Sequence, residues 1–333
     1  MLFRLFLFLF LFIFSLLATA DAAERFAFER PLMGTRFSVV CYAENREIAD
    51  KSAEAAFAQA VAINQVASDY LPESELSQLT GKPIGTPIPL SPLLYELLEF
   101  SRRMAEVTDG AFDPTLGPLT KLWRQSRAKN CLPDPDTLAA ARFVCGWRYF
   151  TLDPHTGTIT LHREKMAFDL GGVAKGYAAD LMLASLTAAG IRQAMITAGG
   201  DIRLGDAPPG LTGWRIALQT FDLAQHDEIL ILTNAAVSTS GDLHQAIEIN
   251  GVRYSHILDP ATGLGLTRRI AASVIADEAK FSDALATAAC VLSQEASAAL
   301  EKMPGIRKIK LHSLQSSHDL PLSSQPNETR VNR

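Results

Sequence analysis

Asp169-Leu170-Gly171-Gly172-Val173-Ala174-Lys175-Gly176 is a glycine-rich turn between two apolar runs, and its surroundings decide the fold class. Upstream, Met166–Leu170 reads as a strand. Downstream, Val173–Ala189 reads as a helix that Gly190 stops. Gln193–Thr197 reads as the next strand, closed by Ala198-Gly199-Gly200-Asp201. The expectation is a β-α-β unit in an α+β or α/β fold, a mixed β-sheet core with flanking helices.

The remaining elements fit that class. Phe26–Ala43 is extended around Met33-Gly34-Thr35-Arg36, and Ile48–Ser68 has helical periodicity. Asp69–Glu75 is a loop, Pro92–Val107 a helix ended by Thr108-Asp109-Gly110, and Ala111–Thr115 a loop. Pro114 biases Asp113 away from helix. Leu116–Arg127 is a short helix, and residues 128–146 form a polar, proline-containing connection. Tyr149–Leu152 and Thr158–Leu161 form a hairpin. Trp214–Gln219, Ile229–Leu232 and Ala271–Ile275 are strands. Ala246–Ile249 and Val252–Ile257 form a hairpin over Asn250-Gly251, and Asp259–Gly263 is a turn. Ser282–Leu292 is a helix with Ser282 as N-cap.

The chain has 333 residues, 48% hydrophobic and 20% charged, with a net charge of −5. That is a globular balance with ample core. No Lys/Arg-rich run is present, which excludes nucleic acid as a natural partner. Leu5–Leu17 is almost wholly Leu, Phe and Ile, followed by Ala18-Thr19-Ala20-Asp21-Ala22-Ala23. This reads as a secretory signal peptide over residues 1–23, cleaved after Ala20 or Ala23. The rival is an uncleaved membrane anchor, for which the run is short. One domain over residues 24–312 and a disordered polar tail over 313–333 are expected. Cys41 and Cys290 read as buried thiols. Cys131 and Cys145 flank a proline-rich segment, and a disulfide and two free thiols are both open readings in an exported protein.

Two stretches carry chemistry. In Asp169–Gly176, Gly171 and Gly172 let backbone approach a ligand closely. The helix N-terminus favours anions and Lys175 adds a full charge. The competing reading is a plain turn with a solvated lysine. In Ser282-Asp283-Ala284-Leu285-Ala286-Thr287, Asp283 and Thr287 stand at i and i+4, on one helix face. They suit a hard cation such as Mg²⁺, which takes few protein oxygens. The competing reading is an Asp favouring the helix dipole and a Thr bonded into its own helix. His256, at a strand end, is either a general base or a structural imidazole. The hydroxyl-rich loop Ser238-Thr239-Ser240-Gly241-Asp242 and Asp201 are open between phosphate binding and plain turns.

Together, Met33-Gly34-Thr35, Asp69-Tyr70 with Ser74-Glu75-Leu76, Gly110–Thr115, Asp169–Gly176, Gly199-Gly200-Asp201, Ser238–Asp242, Tyr254–Gly263 and Asp283–Thr287 resemble the ApbE family of FAD:protein FMN transferases, in the family's order. The resemblance implies a T-fold-like architecture and Mg²⁺-dependent transfer of FMN from FAD to a Thr or Ser hydroxyl of a protein, releasing AMP. It implies Mg²⁺ ligands in the side chains of Asp283 and Thr287 and the carbonyls of Gly172 and Ala286. FAD contacts would come from Met33, Tyr70, Ala111, Phe112, Asp113, Asp169, Lys175 and Ile257, and the base would be His256. The implied partner is an exported acceptor flavoprotein, such as a subunit of a Na⁺-translocating quinone reductase. The implied location is the periplasm, soluble because no lipobox cysteine is present, or at the inner membrane if the leader is kept. A Mg²⁺-dependent FAD pyrophosphatase and a non-catalytic flavin carrier are the rival functions.

Overall fold

A computed structural model describes residues 23–218, 228–241 and 246–313. The chain begins with a hairpin, β1 (Glu24–Leu32) and β2 (Thr35–Ala43), turned by Met33 and Gly34, both at positive φ (49° and 71°). That pair of left-handed residues matches the twist of a two-residue hairpin. Asn45 then caps α1 (Arg46–Ala67), accepting from the Ile48 N–H at 3.0 Å. After the loop at Asp69 and Tyr70 come β3 (Ile88–Pro89) and α2 (Pro92–Val107), which starts on a Ser91 cap with Pro92 in its first turn.

α3 (Gly117–Lys129) ends on left-handed Asn130. The expected connection over 128–146 holds a helix instead, α4 (Pro135–Val144). Asp134 accepts from the Thr137 N–H at 2.9 Å and Pro135 opens the first turn. An Asp-Pro pair is a helix start signal as much as a breaker, which is why polarity alone misread it. Next come β4 (Phe150–Asp153), β5 (Thr158–Leu161), α5 (Ala174–Ala188), β6 (Ala194–Ala198), β7 (Asp201–Leu204), β8 (Trp214–Leu218), β9 (Glu228–Leu232), β10 (Ala235–Gly241), β11 (Ala246–Ile249), β12 (Val252–Ser255), β13 (Ile270–Ala276), α6 (Ala279–Val291), α7 (Gln294–Leu300) and β14 (Ile306–Ser313).

The fold is mixed α+β around a seven-stranded sheet ordered β1-β2-β6-β7-β10-β13-β14. Every pairing in it is antiparallel. The expected β-α-β unit is absent, because Met166–Leu170 is not a strand. Met166, Phe168 and Leu170 are buried in alternation, but β6 is already flanked by β2 and β7, so the segment has no free side of β6 to join. The Asp169 N–H bonds instead to the Pro114 carbonyl at 2.8 Å.

Alternation along β2 sends Phe37, Val39 and Cys41 into the main core, where α1, α5 and α6 cover the sheet. Val40 faces the other side, under Trp214, Ile216 and Leu218 of the β8–β9 hairpin. A third cluster joins Leu119 and Trp123 of α3 to Ile249 and Tyr254 of the β11–β12 hairpin.

Two further expectations change, and one open reading closes. Ser282 does not cap its helix; α6 begins earlier, and Glu278 at the cap makes no side-chain bond there. Asp180 of α5 does that work, accepting from the Ala279 and Lys280 N–H groups at 2.8 and 2.9 Å while Arg203 pairs with it at 2.7 Å. Ser238-Thr239-Ser240-Gly241 is the end of β10, not a loop, and Asp242 lies outside the described residues. Cys131 and Cys145 form no disulfide. Residues 1–22 of the expected leader and 314–333 of the expected tail also lie outside the described residues, while Ser313 closes β14. Among the described residues no helix is long and apolar enough to cross a membrane.

Candidate active site

The N-termini of α5 and α6 meet at the glycine turn. Gly176, in the first turn of α5, donates its N–H to Asp283 Oδ2 at 3.0 Å. Only hydrogen fits there: a Cβ on Gly176 would lie 2.2 Å from the Ala279 carbonyl oxygen. Gly172 closes on the next turn of α6, where a Cβ would sit 3.2 Å from Thr287 Oγ1 and 3.5 Å from Phe112. Ala286, between the two oxygen side chains, is fully buried. The structure therefore brings together Gly172, Asp283, Ala286 and Thr287.

Lys175 is paired rather than freely solvated. Its ammonium lies 2.8 Å from Asp201 Oδ2, 3.3 and 3.4 Å from the Asp283 carboxylate oxygens, and 3.4 Å from the Gly171 carbonyl. The Gly199-Gly200 turn between β6 and β7 delivers Asp201, which is buried. Burial works against the charge on Lys175, but Asp201 and Asp283 more than offset it and raise its pKa. Burial first, then the charge of Asp201, push the Asp283 carboxyl up to about 7, against the opposing pull of Lys175. With Asp283 ionised, two carboxylates stand against one ammonium and leave the group one negative charge in excess, an oxygen-rich setting suited to a hard cation. Hydroxyls of β10 extend it: Ser240 Oγ lies 3.3 Å from Thr287 Oγ1, and Ser238 Oγ lies 2.8 Å from Ser282 Oγ. Among the described residues no group of three or more His, Cys, Asp or Glu could hold a metal. Hydroxyl and carbonyl oxygens would have to complete any cation shell here.

The loop Ala111–Thr115 is held by its own carboxylate. Asp113 accepts from the Thr115 N–H and hydroxyl at 2.8 and 2.6 Å and from the Trp147 N–H at 3.0 Å. Burial raises its pKa and these bonds oppose the rise. Thr108, its hydroxyl accepting from the Phe112 N–H at 3.1 Å, fixes the start of the loop, so Ala111 and Phe112 are buried beside the glycine turn.

Asp169 accepts from the Gly171 N–H at 2.8 Å, shaping that turn, and its other oxygen lies 3.5 Å from Arg124. Arg124 also binds Asp69 at 2.6 Å and covers the Tyr70 ring at 4.0 Å from its centroid. Tyr70 is nonetheless 71% exposed. Arg124 gave no signal in the sequence, being one of several basic residues on a polar helix face. Met33 sits at the β1–β2 turn, whose neighbour Thr35 packs on Gly199. Ile257 is buried in the same core as Phe112 and Ala286. His256 is half-buried just past β12. Its backbone neighbours are fixed by Trp123 donating to the Ser255 carbonyl at 3.1 Å and Ile257 donating to Ser255 Oγ at 3.0 Å.

Comparison with known proteins follows the same outline. The model of the ApbE family matches residues 33–309. The FAD:protein FMN transferase of Vibrio cholerae is 30% identical over 280 residues, 82% of this chain and 83% of its own length. The FAD:protein FMN transferase of Treponema pallidum is 34% identical over 253 residues, 70% and 69% of the two chains. The apo crystal structure of the Pseudomonas stutzeri flavinyl transferase ApbE superposes with a TM-score of 0.75 at 28% identity, covering 86% of this chain and 90% of that one. A family match that begins at the Met33 turn and runs through the glycine turn and α6 into β14 spans every segment of the site, and this chain belongs to the ApbE family.

Proposed function

We propose that this protein is an FAD:protein FMN transferase, which moves FMN from FAD onto a Thr or Ser hydroxyl of an acceptor protein and releases AMP. The observation that carries the reading is the closure of the glycine turn on α6, with Gly172 against Thr287 and Lys175 held by Asp283 and Asp201. The transferase activity of the relatives supports it.

In this reading the acceptor oxygen attacks the FMN phosphorus and the bond from that phosphorus to the AMP oxygen breaks. AMP leaves with the bridging oxygen, and the acceptor proton passes to His256, an imidazole being the side chain most used as a base near neutrality. Asp283, Thr287 and the carbonyls of Gly172 and Ala286 would hold Mg²⁺, whose chemistry is to neutralise charge on phosphoryl oxygens. Lys175 balances the carboxylates around the phosphates. Tyr70 offers its open face to the isoalloxazine, with Met33, Ala111, Phe112 and Ile257 as apolar walls. Asp113 and Asp169 act by fixing the two loops, since their oxygens are already engaged there. The leader would export the chain to the periplasm, where an exported flavoprotein subunit serves as acceptor.

The test is intact-mass spectrometry of an acceptor domain incubated with the protein, FAD and Mg²⁺. A gain of one FMN, lost with EDTA, is expected. FMN and AMP in solution with no acceptor gain would favour the pyrophosphatase. Bound, unchanged FAD would favour the carrier. His256→Ala is expected to slow single-turnover transfer by about 10²–10⁴-fold, the usual worth of a positioned base, while FAD binding holds. An unchanged rate would leave His256 without that role. Tyr70→Ala should raise the Kd for FAD roughly tenfold, since stacking on an aromatic ring is worth about 1–3 kcal/mol. Flavin fluorescence titration checks it, and an unaltered Kd would place the isoalloxazine elsewhere.

A further inference from the structure

We infer that Arg124 is a positioning residue for the flavin, holding the Tyr70 ring from behind and tying it to the glycine turn through Asp69 and Asp169; this rests on the proposed FAD reaction. Arg124 lies on α3, outside every motif that carried the family resemblance. Its Nη1 bonds Asp69 Oδ2 at 2.6 Å and its Nη2 lies 3.5 Å from Asp169 Oδ2. The same guanidinium lies over the Tyr70 ring, 4.0 Å from guanidinium carbon to centroid. One planar group thus reaches three residues from two loops that are far apart in sequence.

Two physical consequences follow. The carboxylates of Asp69 and Asp169 are mostly buried, their side chains only 17% and 15% exposed, and each feels the other's charge. Arg124 pairs with both and opposes the repulsion between them. The guanidinium also occupies one face of Tyr70 while most of the ring stays open. A flat cation behind the ring restrains its tilt and presents the free face to an incoming aromatic, so less ordering is left to the binding step. Asp169 holds the Gly171 N–H, so the same contact sets the ring's place relative to the phosphate end of the site. Lysine keeps the charge between the carboxylates but has no planar face and no fork.

The test is a double-mutant cycle on FAD affinity and transfer kinetics with Arg124→Lys, Tyr70→Ala and the double variant. Arg124→Lys is chosen because it keeps the loops electrically balanced; a thermal melt confirms that each variant folds. The expected result is a rise of about tenfold in Kd and KM for FAD in Arg124→Lys, with kcat little changed. In the Tyr70→Ala background the same substitution should have almost no further effect. Additive losses, or a fall in kcat at unchanged KM, would overturn the inference while leaving the transferase reading standing. Failure of the unaltered protein to bind FAD would overturn both.

Discussion

Asp283→Asn is expected to abolish Mg²⁺-dependent FMN transfer, a loss of at least about 100-fold, since even outer-shell partners of a bound metal are commonly worth 10–100-fold. Asp283 is the one carboxylate of the proposed cation set, and it is buried to 3% exposure. Asparagine keeps the shape, and one amide oxygen can still accept from the Gly176 N–H, but the charge is gone. The fold should not suffer in proportion. Burial and Asp201 raise the carboxyl to about 7 in the folded protein, above its unfolded value of about 4. The folded state therefore binds more protons than the unfolded state between those values, and this group costs stability as pH rises through that window. Asparagine removes that cost, and Lys175 retains Asp201 at 2.8 Å. A variant that melts no lower than the parent at pH 8 yet transfers no FMN is the expected outcome. A fully active variant would remove Asp283 from the cation set.

Gly176→Ala is expected to damage both fold and site. The added Cβ would lie 2.2 Å from the Ala279 carbonyl oxygen, 2.6 Å from its carbon and 2.8 Å from Asp283 Cβ. Two of these are backbone atoms at the start of α6, pinned by Asp180, so no flexible side chain can swing away. Relief requires α5 and α6 to separate, which breaks the Gly176–Asp283 bond and moves Lys175 from its carboxylates. Overpacking usually costs about 1–3 kcal/mol, and a clash on fixed backbone belongs at or above the top of that range. A melting point lower by roughly 5–10 °C follows for a domain of this size. Gly200→Ala is the stability control: its nearest new neighbour is the Thr239 carbonyl at 3.7 Å and its φ is ordinary, so a shift of about 0.5 kcal/mol or less is expected. Equal melting of the two variants would show that the α5–α6 approach is looser than its geometry.

Much of the site was legible residue by residue. Asp283 and Thr287 share a helix face because four residues make about one turn, whatever surrounds the helix. Gly171 and Gly172 read as room for a ligand's approach; what the structure places against Gly172 is Thr287 and Phe112. The part that escaped is the part assembled from distant segments. Asp201 could be noticed after two glycines, but nothing near it indicates that Lys175 is its partner. Arg124 looks like any exposed helical arginine until Asp69, Tyr70 and Asp169 are placed around it.

The fold divides in the same way. Side-chain period, caps and turn residues act within a turn or two of chain, so the helices at Arg46–Ala67 and Pro92–Val107 and the hairpin at Asn250-Gly251 follow from the sequence by itself, whereas the extended run Phe26–Ala43 becomes a hairpin at Met33-Gly34 only in the structure. Whether an apolar run becomes a strand depends on a free sheet edge, and only the tertiary structure sets that. Met166–Leu170 alternates like a strand and is buried like one, but β2 and β7 already occupy both sides of β6. Likewise, Asp180 rather than Ser282 satisfies the start of α6, because the packing of α5 on α6 brings a carboxylate to those N–H groups from outside the helix. Local stereochemistry chose the elements; competition among them for edges, charges and hydrogen bonds chose their partners.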